Sequence, residues 1–267
     1  MNGLRLYLRY ARASVRMQML YPGAFLLLAA TQFLNTLISI AAIWALFDRF
    51  GGLSGWRFAE VAVFFATANL SFGVADAINR GFDVFGPQFV KTGDFDRLLL
   101  RPRTAALQVL GFELRLTRIG RLAQALIVLV IALPLAHGDW TLAQGLSLAG
   151  AVAGGVALFS AILILQATLT FWTIDNLEAV NVVTYGGVEA SQYPLDVYWR
   201  WLARFLIFIV PLGCVTYFPV VFALGRTDPL GAPQALLPFT PVVGFVFLAI
   251  ALSAWSFGVR RYRSTGS

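Results

Sequence analysis

Reactive side chains are almost missing from this sequence of 267 residues, which carries one cysteine, one histidine and one lysine. Each scarcity excludes a class of chemistry. Cys214 stands alone inside an apolar run, so it has no internal disulfide partner and reads as a small packing residue. His137, beside Gly138 and Asp139, has no Cys, Glu or second His at ligand spacing; it reads as a loop residue and no metal site is expected. Lys91 precedes Thr92, but Val90 stands before it and Phe85 stands where the first glycine of a P-loop belongs. Backbone amides cannot cradle phosphates there, so the chain does not bind ATP in that way. Neither a Gly-x-Ser-x-Gly elbow nor a His-Glu-x-x-His pair occurs. With its carboxylates mostly in connecting segments, the chain has almost no parts for an active site and is not expected to be an enzyme or to hold a cofactor. A cleavable leader is not expected either: arginines run through the first twenty residues, and no continuous apolar core precedes Tyr21.

Apolar sequence is what the chain has in abundance. It is 59% hydrophobic and 12% charged, which excludes an ordinary soluble domain. Crossing a hydrocarbon core takes roughly 20 apolar residues. Six runs approach or exceed that length: 23–47, 58–78, 119–136, 142–172, 197–222 and 241–259. They cover more than half the chain, so the expected fold is all-α, a single polytopic membrane domain over 1–267. The net charge of +7 could suggest nucleic acid, but the charges follow topology instead. With the N-terminus inside, 17 Lys and Arg fall on the inner side and only Arg49, Arg57 and Arg226 on the outer. Both termini inside, with an even number of spans, is the expectation.

Irregularities along the runs carry further expectations. Arg5, Arg9, Arg12 and Arg16 recur at helical spacing opposite Tyr7, Tyr10, Ala11 and Val15. Residues 1–21 therefore read as an interfacial elbow helix, or as a basic flank that only sets topology, ended by Tyr21-Pro22-Gly23. In the second run, Asp76 is expected to pair with Arg80 at i, i+4, with a proton-relay role as the alternative. Asn69, mid-run, either lines a substrate path or bonds a neighbouring helix. The third helix is expected to start near Thr104 and project as a charged stalk through Glu113, Arg115, Arg118 and Arg121. Gly150 and Gly154 form a small-xxx-small pair for close helix packing. A polar inner stretch with Asp175, Glu178, Glu189 and Asp196 should join the fourth and fifth runs, the fifth starting at the interfacial Trp199 and Trp201 and interrupted by Pro211, Gly213 and Pro219. Gly225 to Pro238 reads as a short outer loop.

One charged, amphipathic island breaks the apolar pattern: Lys91-Thr92-Gly93-Asp94-Phe95-Asp96-Arg97-Leu98-Leu99-Leu100-Arg101-Pro102-Arg103. Its Gly93-Asp94-Phe95-Asp96 and Leu98-Leu99-Leu100-Arg101-Pro102 resemble the central motif of the bacterial ABC-2-type permeases, in particular a branch first catalogued as a domain of unknown function. Phe171-Trp172-Thr173, Tyr193-Pro194-Leu195, Pro211 with Tyr217-Phe218-Pro219, and the tail from Arg261 to Ser267 are similar to that family in order and spacing. Family tails more often carry alanine near Thr265.

The resemblance implies a half-transporter of six helices in the bacterial cytoplasmic (inner) membrane. It would pair with a second, related but different permease and with two copies of an ABC ATPase that holds the ATP and magnesium. Residues 86–103 would be the coupling segment, its ATPase contacts made by Lys91, Gly93, Asp94, Phe95, Asp96, Leu98, Leu99, Arg101 and Pro102. Asp94 and Asp96 would meet basic groups while Phe95, Leu98 and Leu99 form an apolar anchor; the bland alternative is a solvated helix lying on the membrane. Asn69 and Asp76 are candidates for the substrate path. The expected activity is ATP-driven efflux of a drug, toxin or natural product, with transport of a lipid or glycan as a variant. An ion-coupled carrier using Asp76 or Glu113 is the rival, although no internal repeat of the kind such carriers often have is visible. Its partners would be these proteins and membrane lipids, with no nucleic acid.

Overall fold

A computed structural model describes residues 3–173 and 178–262; Asp175 and the tail from Arg263 onward lie outside the described residues. Among these residues there is no strand. The helices are α1 (Gly3–Gln18), α2 (Pro22–Phe50), α3 (Phe58–Ile78), α4 (Arg80–Asp83), α5 (Asp94–Leu99), α6 (Ala105–Leu110), α7 (Ile119–Ala136), α8 (Leu142–Thr173), α9 (Glu178–Ser191), α10 (Arg200–Phe208), α11 (Phe218–Ala223) and α12 (Val242–Arg261). Two π-helical turns, Gly86–Val90 and Gly213–Tyr217, sit among them.

α3 and α8 are buried along most of their length and form the centre of the bundle. α2, α7 and α12 bury one narrow face each, leaving residues such as Leu27, Ile38, Val130 and Ile250 exposed as a lipid-facing surface would be. Without a hydrophobic drive between helices in lipid, close backbone approach does the packing. The junction of α8 and α12 shows it. A Cβ on Gly244 would stand 2.2 Å from the Gly154 carbonyl oxygen, and one on Gly154 would stand 2.5 Å from that of Pro241. The small-residue pattern of the fourth run thus packs within the chain.

Contacts fix which segments share an end. At one end, the basic end, lie α1, α5 and the close of α12, with most of the arginines. Ser14 Oγ donates to the Leu114 carbonyl at 3.1 Å, and the Leu116 amide donates to Gln18 Oε1 at 3.0 Å, so α1 clamps the segment just before α7. Tyr10 packs against Gly111 in the same place. At the far end, Arg57 Nη2 donates to the Ala136 carbonyl at 2.6 Å, joining the start of α3 to the close of α7.

Three expectations need correction. The fifth passage is α9, not the run 197–222. Near the basic end Gln166 of α8 bonds Asn181 at 3.0 Å; Tyr185 then meets Phe72, and past Ser191 the chain reaches Trp56, whose Nε1 donates to Asp196 at 3.0 and 3.1 Å. Trp56 precedes α3 at the far end, so α9 and its extension climb antiparallel to α3 across the bundle. α10 and the helix from Gly213 to Ala223 meet at 83° and form a re-entrant hairpin. Both its ends lie at the far end: Arg200 and Arg204 share a cleft with Asp228 and Pro229, and Gly225 lies against His137. Arg200 and Arg204 therefore join Arg49, Arg57 and Arg226, and the charge bias persists in weaker form. The passages are α2, α3, α7, α8, α9 and α12, an even number with both described chain ends at the basic end.

The stalk is also broken. α6 ends at Leu110, and Gly111 to Arg115 turns between α1 and the end of α3, where the Arg115 amide donates to the Ala77 carbonyl at 2.9 Å. Finally, Asp76 pairs not with Arg80 but with Arg118, Oδ2 to Nε at 2.5 Å. Helix α3 stops at Ile78, so the i, i+4 geometry is lost; Asn79 Nδ2 ties the stop to α8 by donating to Ser160 Oγ at 2.8 Å. Arg80 turns to Asp83 and, at 4.0 Å, to Glu113.

Candidate functional site: the segment at the basic end

The island is built as a turn, a short helix and a bend. After the π turn Gly86–Val90, Gly93 takes φ 71°, a left-handed conformation that glycine adopts without penalty, and this reverses the chain into α5. Thr92 Oγ1 donates to the Gln88 carbonyl at 2.7 Å and holds the turn. On the far side of α5, Gln108 Nε2 donates to the carbonyls of Leu98 at 3.0 Å and Arg103 at 3.2 Å, closing the loop through Arg101 and Pro102.

Phe95 is the pin of this arrangement. It is fully buried, with ring centroids of Phe85 and Tyr262 at 5.0 Å, Phe171 at 5.5 Å and Trp255 at 6.3 Å. Edge-on and tilted pairs at these distances suit the ring quadrupoles. Phe171 ends α8, while Trp255 and Tyr262 end α12, so α5 is fastened to the basic ends of both helices. The expected outward anchor is thereby corrected: Phe95 and Leu98 face their own chain because an aromatic nest receives them. Leu99 and Leu100 are the exposed apolar residues, Leu100 at 87%.

The acidic residues divide. Asp94 stays half-exposed and its Oδ1 accepts from the outward Arg97 at 3.2 Å, while Asp96 sits beside Tyr262, where burial first and the carboxylate second push the tyrosine pKa up. The outward face carries Lys91, Arg97, Arg101, Pro102 and Arg103, all exposed, around Leu99 and Leu100. It is a predominantly basic and leucine surface, with Asp94 at its edge held by Arg97. No sequence signal points to Phe171, Trp255 and Tyr262 as holding α5; the resemblance of Phe171-Trp172-Thr173 and of the tail marks the places of Phe171 and Tyr262, and nothing marks Trp255.

The two path candidates are not brought to this segment. Asn69 is buried and donates to the Phe65 carbonyl of its own helix at 2.9 Å, and among the described residues it bonds no neighbouring helix. Asp76 is buried in the ion pair with Arg118, close to Arg115 and Arg121. Arg121 lays its guanidinium over the Phe72 ring at 5.4 Å. No group of three or more His, Cys, Asp or Glu among the described residues could hold a metal.

A bundle of five long apolar helices and the more polar α9, with a pinned amphipathic helix at its charged end, defines a multi-pass membrane protein that offers a mechanical handle to something outside the bilayer. Residues 33–266 match the family described as ABC-2 family transporter protein, and the chain belongs to that family. It is a membrane permease of an ABC transporter, the transmembrane subunit and not itself the ATPase, and it works with an ABC ATPase subunit. No curated protein and no solved structure matches it.

Proposed function

We propose that this permease is half of the membrane part of an ATP-driven exporter in the bacterial cytoplasmic membrane, its basic end in the cytoplasm. A second, related permease completes the membrane part, and two ATPase copies supply ATP and magnesium. The cargo is a drug, toxin or natural product. In this reading, the exposed surface of Leu99, Leu100, Arg101, Pro102 and Arg103, with Lys91 and Arg97 beside it, docks on the ATPase. The complementary surface is an apolar cleft for Leu100 ringed by carboxylates.

The observation that carries the reading is the Phe95 pin. Force applied to α5 passes through packed rings to the ends of α8 and α12 without crossing a flexible linker. The broken stalk makes the third helix a poorer transmitter. The ion-coupled rival loses its motive, because Asp76 is already closed by Arg118 and Glu113 lies 4.0 Å from both Arg80 and Arg115. Leu100→Asp with Arg101→Glu, both exposed, should leave the permease in the membrane but abolish ATPase co-purification and cargo-stimulated ATP hydrolysis. Wild-type coupling in that variant refutes the docking surface. Transport by the purified permease alone refutes the ATP-driven reading.

A further inference from the structure

Val182, Tyr185, Gly186 and Glu189 lie on one stripe of α9, and all four are exposed on the outside of the bundle. Their depth follows from α3. Tyr185 packs edge-on against Phe72 with centroids 5.7 Å apart. Phe72 is six residues from the basic end of α3, about 9 Å at 1.5 Å per residue, and Glu189 is one turn farther along α9. Glu189 thus stands about 15 Å along the bundle from the basic end of α3, near the mid-height of a helix whose 21 residues span about 32 Å, the thickness of a hydrocarbon core. Among the described residues no cation forms an ion pair with it. Arg121 feels its charge from across the stripe but is engaged over Phe72. A carboxylate exposed at that depth does not face acyl chains; such groups line water-filled cavities.

Beside it, between α9 and α10, is a cavity of about 370 Å³ walled by Gly186, Ala190, Trp201, Phe205, Leu206 and Leu212. Gly186 and Ala190 flank Glu189 in sequence, and the walls are apolar. The volume suits the body of a drug-sized ligand. Trp201 and Phe205 add ring faces that attract a cation.

We infer that this stripe of α9 lines a water-accessible path, and that Glu189 with the neighbouring apolar cavity binds a lipophilic cation, its apolar body in the cavity and its positive centre on the carboxylate. The inference gives the cargo class of the permease proposed above and rests on that reading. Its test needs no ATP, so either can fail alone.

The test places a thiol at Gly186, where an added Cβ has only Val182 Cγ1 at 3.9 Å, in the Cys214→Ser background. The full chain with its partner subunits is labelled in permeabilised membranes. Gly186→Cys should react with charged thiosulfonates, the cationic reagent on the order of tenfold faster than the anionic one for a carboxylate about 6 Å away in water. Glu189→Gln should remove the preference. Tetraphenylphosphonium should slow labelling when Glu189 is present and not when it is Gln. Val130→Cys, on the exposed face of α7, should stay silent. Silence at Gly186→Cys, as a second permease packed over α9 would give, overturns the inference. So does equal reaction at Val130→Cys, a charge preference that survives Glu189→Gln, or labelling indifferent to tetraphenylphosphonium. If Gly186→Cys does not insert, Ala190→Cys carries the same readout.

Discussion

Removing the Phe95 ring tests how the basic end is held together. Phe95 has no exposed surface and touches four aromatic rings from three segments. Truncating a buried phenylalanine to alanine costs about 3–5 kcal/mol. The location of that loss matters more than its size. α5 has six residues, and its other ties are Leu98 and the Gln108 bonds, so the cost falls on docking of α5 and not on the six passages. At about 1.4 kcal/mol per tenfold, a loss of 3 kcal/mol raises the undocked fraction of the segment roughly a hundredfold. Hydrogen exchange in a nanodisc should show this directly. Amides in residues 93–103 should exchange about a hundredfold faster in Phe95→Ala, while those of α3 and α8 keep their protection. Phe95→Leu, which retains most of the apolar volume, should shift exchange far less. ATPase binding should survive, because Leu100 and Arg101 are untouched, while cargo-stimulated hydrolysis falls. Unchanged exchange in 93–103 refutes the pin, and so does a uniform loss of protection across the bundle.

Other perturbations probe the bundle itself. Arg226 Nε lies 2.8 Å from Glu60 Oε1 and its guanidinium sits 4.5 Å above the Trp56 ring, fastening the re-entrant hairpin to α3. Arg226→Ala removes the closer of the two arginines on the buried Glu60, leaving Arg57 at 3.5 Å and its amide at 2.8 Å, and should cost roughly 1–2 kcal/mol because the lost arginine is about one-third exposed; thermal unfolding measures it, and Glu60→Gln in the same chain should restore part of the loss. Asp76→Asn leaves Arg118 buried without its counter-ion and should destabilise by about 3–5 kcal/mol, with Arg118→Gln compensating; additive losses in the double variant would refute a direct pair. Gly244→Ala drives a Cβ to 2.2 Å from the Gly154 carbonyl oxygen, so α8 and α12 must separate at a cost of about 1–3 kcal/mol or more; an unchanged midpoint of unfolding would show that the contact is not tight.

How much of this was legible follows from what each signal measures. Length and apolarity identify α2, α3, α7, α8 and α12 because lipid rewards continuous apolar sequence, and all five emerge as expected. α9 escapes the same test for a physical reason. It passes along the already packed face of α3 and α8, so Asn181 and Thr184 find Gln166 instead of lipid, and its outward stripe keeps Tyr185 and Glu189. A helix that lines polar surroundings need not be apolar, so hydropathy places it outside the membrane and assigns the crossing to the next apolar run. That run, 197–222, is apolar because the second arm of the re-entrant hairpin is buried in the bundle while the first keeps Phe208 and Ile209 on its outer surface, and Pro211 marks the bend between them. The same confusion moved Arg200 and Arg204 to the wrong end. At the candidate site, spacing located the island but could not say which way its residues point. Phe95 looks as available as Leu100 until Phe171 and Tyr262, far apart in sequence, are brought beside it. Chemistry that depends on an inward or outward turn of one short helix lies in those distant contacts, where local pattern has no access.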